Sequence, residues 1–198
     1  IQNKSGTIDK LHINSFSNNT ISSNLKIDGG ILYNESGTIN GTLEIGQIVG
    51  NTIKTKTDFN GLITNVAGNI DSISIGSISD NNFEMNFMRG GIINLQGANV
   101  NDITIGEVNN NVITGNENST STGFILYLRE LTSDSTISSN IGNVTVGQID
   151  GNTIKATNIT SLLLRSALVP VENATVISKN GNVTVGEISN NNLVAVDC

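Results

Sequence analysis

Ile103-Thr104-Ile105-Gly106-Glu107-Val108, followed by Asn111 and Ile113, is one of six copies of a single phrase, and its recurrence decides the fold. The preceding copies are Leu43-Glu44-Ile45-Gly46-Gln47-Ile48 with Asn51 and Ile53, and Ile73-Ser74-Ile75-Gly76-Ser77-Ile78 with Asn81 and Phe83. Two follow it, Val144-Thr145-Val146-Gly147-Gln148-Ile149 with Asn152 and Ile154, and Val183-Thr184-Val185-Gly186-Glu187-Ile188 with Asn191 and Leu193. The first copy, Leu11-His12-Ile13-Asn14-Ser15-Phe16 with Asn19 and Ile21, carries Asn where the others carry Gly. Fixed-period self-similarity marks a solenoid, in which each repeat buries its apolar side against its neighbours.

Within each phrase the residues one and three before the anchor Gly are Ile, Leu or Val, and the residue between them is polar. That alternation predicts a β-strand with one buried and one wet face. The next apolar residue stands two past the anchor, so the alternation slips by one, as a bend or bulge at Gly would require. Five past the anchor comes Asn19, Asn51, Asn81, Asn111, Asn152 or Asn191 without exception. One residue type held through six copies predicts a structural ladder, inward-facing Asn side chains hydrogen-bonding from coil to coil. The residues just before them (Asn18, Gly50, Asp80, Asn110, Gly151, Asn190) are types that tolerate left-handed backbone.

The anchors at 14, 46, 76, 106, 147 and 186 lie 32, 30, 30, 41 and 39 residues apart. A second apolar run follows each of the first five phrases, with paired hydrophobic residues Ile31/Leu32, Leu62/Ile63, Ile92/Ile93, Phe124/Ile125 and Leu162/Leu163. The expected architecture is all-β, a right-handed parallel β-helix of about six coils with roughly 30 residues per coil, forming one domain over residues 1–198. Six coils would make a rod roughly 29 Å long at about 4.8 Å per coil. The longer spacings place insertions near 128–140 and 166–180, with a shared rhyme in Thr136-Ile137-Ser138-Ser139-Asn140 and Thr175-Val176-Ile177-Ser178-Lys179-Asn180. These insertions predict either a contact ledge or two paired extra strands.

Period, Gly bends and Asn ladder together resemble the right-handed parallel β-helix proteins of the surface-fibre, adhesin and autotransporter-passenger type, and no specific family among them. Pectate lyases and phage tailspikes share that fold. The resemblance covers the whole chain and implies a fold rather than an activity.

Composition narrows the function classes. Charged residues are 14%, net charge is −7, and the ten Lys and Arg are scattered without a basic stripe, so nucleic acid is not an expected partner. No stretch of 18 apolar residues exists, so no membrane span is expected. Cys198 is the only cysteine, so no intrachain disulfide can form and at most a bond between chains is open to it.

A polysaccharide lyase or hydrolase would want clustered carboxylates with a basic residue. The phrases offer outward Glu44, Glu107 and Glu187, the last two roughly 9–10 Å apart if coils stack regularly. No Asp pair, Arg or aromatic platform accompanies them. His12 lacks repeating ligand neighbours and predicts a solvated side chain. Gly29-Gly30 and Gly90-Gly91 do not extend to a calcium-binding nonapeptide. No catalytic, metal or cofactor-binding residue is therefore expected, and no cofactor.

The outward pairs Ser72/Ser74, Asp102/Thr104, Asn143/Thr145 and Asn182/Thr184 form a partial small-polar stripe of the kind ice-binding solenoids use, broken at Lys10/His12 and Thr42/Glu44. Nine Asn-x-Ser/Thr sequons start at Asn3, Asn18, Asn34, Asn40, Asn118, Asn143, Asn158, Asn173 and Asn182.

Because consecutive strand residues face opposite ways, the paired hydrophobics predict an outward assembly stripe through Ile31, Leu62, Ile92, Phe124 and Leu162. Neither end reads as a cap, which predicts a rod completed by other copies or cut from a longer fibre. The functional expectation is a non-enzymatic structural or adhesive β-helical rod, extracellular or on a cell or virion surface. Its expected partner is itself, end to end or laterally, with a carbohydrate or cell-surface ligand as a further possibility. A β-helical polysaccharide lyase or hydrolase and an ice-binding protein are the alternatives.

Overall fold

The computed structural model describes residues 1–121, 124–130, 137–159, 161–168 and 176–195. The chain winds as a parallel β-solenoid. Its first coil contains β1 (Gln2–Asn3), β2 (Thr7–Ile8), β3 (Leu11–Ser17) and β4 (Thr20–Ser23). The second contains β5 (Leu32–Glu35), β6 (Thr38–Val49) and β7 (Thr52–Phe59), and the third β8 (Ile63–Val66), β9 (Asn69–Ser79) and β10 (Asn82–Met88). The fourth has β11 (Ile93–Gln96), β12 (Asn99–Asn109) and β13 (Val112–Ser121). The fifth has β14 (Leu126–Glu130), β15 (Ile137–Asp150), β16 (Thr153–Ala156) and β17 (Asn158–Ile159), and the sixth β18 (Leu164–Leu168), β19 (Val176–Asn180), β20 (Val183–Ser189) and β21 (Asn192–Ala195).

These strands stack into three parallel sheets. Sheet I orders β1-β5-β8-β11-β14-β18. Sheet II carries the phrase, with β6, β9, β12 and β15 at its centre, β2 and β3 both on β6, and β19 and β20 both on β15. Sheet III orders β4-β7-β10-β13-β16-β21, with β17 also on β13. Four coils, the second to the fifth, have a neighbour on both sides. The expectation of about six coils is corrected in its count: about four complete turns lie between two end coils, each paired on one side only among the described residues.

Phrase pairs with phrase in register, Leu43 with Ile73, Ile73 with Ile103 and Ile103 with Val144. In the inner coils the apolar residues at three and one before the anchor and two after it are all buried, as in Ile73, Ile75 and Ile78. Apolar columns therefore run the length of the core, and each fully buried Ile contributes about 1.5–3 kcal/mol. The slip in alternation falls at the anchor, where Gly76 sits so close beneath its neighbour that a Cβ would overlap the carbonyl oxygen of Gly46. Close backbone approach, and not a special dihedral, is why Gly recurs there.

The turns between sheets II and III carry left-handed residues where the pattern required them. Asn18, Asp80, Asn110 and Asn190 have φ of 56°, 55°, 56° and 52°, and Gly50 and Gly151 have 65° and 64°. In the insertions, Ile137–Ile141 of β15 pairs in parallel with Val176–Asn180 of β19. The rhymed segments therefore form paired extra strands. Residues 131–136 and 169–175, and Cys198, lie outside the described residues.

Candidate functional site

The Asn ladder is the most regular polar feature. Asn51, Asn81, Asn111 and Asn152 are at most 1% exposed, and Asn19 and Asn191 at the ends are half-buried. The backbone N–H and side-chain Nδ2 of Asn51 both donate to Asn81 Oδ1, at 3.0 and 2.9 Å. Asn81 repeats the pair onto Asn111 at 3.1 and 2.9 Å, and Asn111 onto Asn152 at 3.0 and 2.9 Å. Asn81 Nδ2 also donates backward to the Ile48 carbonyl at 2.9 Å. Each amide thus serves the coils on both sides and leaves its own groups satisfied, the condition for burying a polar side chain without loss. The ladder also has a direction, since each Asn from Asn19 to Asn152 passes two donors toward the next coil.

A second ladder runs along the turn between sheets I and II. Asn3 Nδ2 donates to Asn34 Oδ1 at 2.9 Å, and Asn34 Nδ2 to Asn65 Oδ1 at 2.8 Å. Each caps its own turn, with Asn34 Nδ2 reaching the Gly37 carbonyl at 3.0 Å and Asn65 Nδ2 reaching Gly68 at 3.2 Å. A Cβ on Gly37 or Gly68 would overlap these amides. In the fourth coil the pair becomes Leu95 and Ala98, both buried, and the ladder stops. The signal was present as Asn3-x-x-Gly6, Asn34-x-x-Gly37 and Asn65-x-x-Gly68. Two sequons, at Asn3 and Asn34, belong to this buried ladder and offer no surface for a glycan. The sequons at Asn143 and Asn182 are exposed on sheet II, where Asn182 N–H donates to Asn143 Oδ1 at 3.1 Å.

The outward assembly stripe is corrected. Ile31, Leu62, Ile92 and Phe124 are buried, as are their partners Leu32, Ile63, Ile93 and Ile125. Leu162 is half-buried and packs against the core. The physical reason is a corner: Ile31, Leu62 and Ile92 lie in bends, and the strands begin at Leu32, Ile63 and Ile93. Strand alternation does not operate across a corner, so both members of each pair turn inward.

On the outer face of sheet II, register brings His12 beside Glu44. His12 Nδ1 lies 2.9 Å from Glu44 Oε2, Lys10 Nζ lies 3.7 Å from the same oxygen, and His12 Nε2 is 2.6 Å from Asn14 Oδ1. His12 thus has a carboxylate neighbour, supplied by the next coil, which local spacing does not reveal. Glu107 and Glu187 flank Gln148 in one column, all on the solvent side. The partial polar stripe is cross-linked from coil to coil, Thr42 Oγ1 to Ser72 Oγ at 2.8 Å and Asn143 Nδ2 to Asp102 Oδ1 at 3.3 Å. Among the described residues, no three His, Cys, Asp or Glu side chains come together. No helix among them is long and apolar enough to cross a membrane.

Sheet III contains a groove of about 690 Å³. It forms where register breaks. Thr55, Met85 and Gly115 are partners, and the next partners are Asp58, Phe87 and Thr120, so neighbouring strands spend different numbers of residues over one step. Buried Thr55 and Met85 line the groove together with Ser22, Lys54, Glu84 and Thr114. Lys54 Nζ meets Glu84 Oε2 at 2.9 Å and Asn82 Nδ2 donates to Glu84 Oε1 at 3.0 Å. The Lys54 hydrogen bond is the main cause holding the Glu84 carboxyl below its ordinary range.

At the sixth coil the core lies open. Val183, Ile188 and Leu193 are 49%, 56% and 45% exposed, whereas their register partners Val144, Ile149 and Ile154 are buried. No protein-family model, no curated protein and no solved structure matches the chain.

Proposed function

We propose that this chain is a structural rod, a non-catalytic β-helical segment of a surface fibre or adhesive protein working outside the cell or on a cell or virion surface. The observation that carries this reading is the investment in axial continuity. Five consecutive steps of one Asn ladder, buried in the inner coils, the Gly column and the apolar columns all run along the same axis. Polar side chains buried at this density specify one register of stacking rather than a pocket for a reacting group.

The test is incubation of the chain with pectin, alginate and related uronic-acid polymers. The rod reading expects no turnover. Release of unsaturated oligosaccharides, abolished by Glu107→Gln, overturns it in favour of a β-helical lyase. A carbohydrate ligand without turnover is a second reading, favoured by the hydroxyl- and amide-lined groove on sheet III. Binding of uronic-acid oligosaccharides, weakened by Lys54→Ala, would support it.

A further inference from the structure

The Asn-x-Ser/Thr sequons divide by how their amide hydrogens are spent. An N-linked glycan replaces one of the two hydrogens on Asn Nδ2 and leaves the other, with Oδ1, available for bonding. At Asn34 both hydrogens are committed inside the molecule, one to Asn65 Oδ1 at 2.8 Å and one to the Gly37 carbonyl at 3.0 Å. Asn3 spends its pair in the same way, on Asn34 Oδ1 at 2.9 Å and the Gly6 carbonyl at 3.1 Å. Neither has a hydrogen to give up, and both side chains are buried.

Asn40 and Asn143 differ on both counts. Both are exposed, and both stand on sheet II. Among the described residues Asn40 Nδ2 makes one bond, to Asp9 Oδ1 at 3.3 Å, and Asn143 Nδ2 makes one, to Asp102 Oδ1 at 3.3 Å. One hydrogen remains on each. Asn143 Oδ1 accepts the Asn182 N–H, a bond that substitution at nitrogen leaves intact. Local backbone explains the exposure. Register runs from Ile39–Ile70 to Thr42–Ser72, so Asn40 and Gly41 stand opposite the single residue Asp71, and such a bulge re-aims a side chain. Asn143 precedes buried Val144, so strand alternation sends it outward. Both lie in coils with a neighbour on each side, the second and the fifth, so their exposure does not depend on what flanks the solenoid. Thr42 and Thr145 complete the two sequons.

We propose that Asn40 and Asn143 are N-glycan acceptors, which makes the outer face of sheet II a glycosylated surface, and that Asn3 and Asn34 stay unmodified in the folded chain. The donor is an oligosaccharide carried on a polyprenyl diphosphate. Asn Nδ2 bonds to its anomeric carbon, the bond from that carbon to the diphosphate oxygen breaks, and the Nδ2 proton leaves with the released diphosphate. Transfer takes place on the extended chain, so the fold decides afterwards which products survive. A sugar on Asn34 would break its bond to Asn65 or to Gly37 and place a bulky polar group in a buried corner. Sugars on Asn40 and Asn143 cost no bond among the described residues and cover the polar stripe that an ice-binding plane would need bare. The inference rests on the reading that the chain works outside the cell.

The experiment secretes the 198-residue chain from cultured animal cells behind a signal peptide. Peptide N-glycosidase in heavy-oxygen water labels every Asn that carried a glycan, and peptide mass spectrometry reads each sequon. Label is expected at Asn40 and Asn143 in most copies and is expected to be absent at Asn3 and Asn34. The circular dichroism spectrum should match that of the unmodified chain made in bacteria. Thr145→Ala destroys one sequon but keeps Asn143 and its hydrogen bonds, and is expected to remove the label at Asn143 alone. An unlabelled Asn40 or Asn143 in the wild type would overturn the proposal. So would a labelled Asn34 in secreted chain with an intact β-spectrum, or wild type retained in the cell, glycosylated and unfolded. Turnover of uronic-acid polymers by the bacterial chain would sink the rod reading whatever the sequons carry, so the two failures are distinguishable.

Discussion

Asn81 illustrates how one side chain can hold three coils. Its Oδ1 accepts two bonds from Asn51, its Nδ2 donates to Asn111 and to the Ile48 carbonyl, and the residue is buried. Leu at this position has similar volume but strands the Asn51 amide and the Ile48 carbonyl. Orphaned buried groups cost about 1–3 kcal/mol, more than the apolar gain returns. Asn81→Leu is therefore expected to lower the unfolding free energy by roughly that amount in urea titration. Unchanged stability would show that water, and not the ladder, satisfies these groups. The same logic separates true ladder residues from look-alikes. Asn34 satisfies the sequon pattern, yet its amide is spent on Asn65 and Gly37.

The strands of sheet II were legible because one rule, alternation interrupted at Gly, covers the whole element and repeats. The left-handed residues before each ladder Asn were legible for a related reason, since few residue types accept that backbone. The short strands of sheet I were not, because each is four or five residues in the inner coils and starts beside a corner. Two consecutive apolar residues there look like one inside and one outside, and only the bend places both in the core. The His12–Glu44 pair was hidden for another reason. Its partners are 32 residues apart in sequence and meet only once the register between β3 and β6 is known. The groove on sheet III depends on unequal residue counts across a bulge, which no periodic pattern records. The last coil has a hydrogen-bonded tether at Asp150. Asp150 accepts from Ser189 Oγ at 2.7 Å and from Asn190 Nδ2 at 2.8 Å, and these bonds, Ser189 first, hold its carboxyl below the ordinary range. A depressed folded pKa stabilises above the unfolded value, and the contribution is lost as pH falls through the folded one. Amide protection at Gly151, whose N–H donates to the Ser189 carbonyl, is therefore expected to fall as pH drops below the usual Asp range. Asp150→Asn should remove that pH dependence, and protection that is flat with pH in the wild type would refute the tether.

Stacked coils touch only their neighbours, so stability should behave as a chain of local couplings and not as a single core. The interior aromatics join adjacent coils along this axis. Phe59 and Phe83 rings lie 5.6 Å apart and tilted, Phe83 and Phe124 6.0 Å apart and edge to face, and all three are fully buried. Phe83 is the shared member, so truncating it opens a cavity in the third coil and removes both ring contacts at once. Phe83→Ala is expected to cost about 3–5 kcal/mol, the range for a buried Phe, of which the ring contacts supply about 0.5–1.5 kcal/mol per pair. The distribution of that loss separates a solenoid from a globular core. Under neighbour-only coupling, hydrogen exchange should accelerate most in the second to fourth coils, around Ile53, Ile75 and Ile113, and least at Ile13 and Val185 near the ends. The first and sixth coils, already open on one side, would keep their own lower protection almost unchanged. A uniform acceleration over all described strands would instead mean that the rod unfolds as one cooperative unit, with the Asn ladder transmitting the defect from end to end.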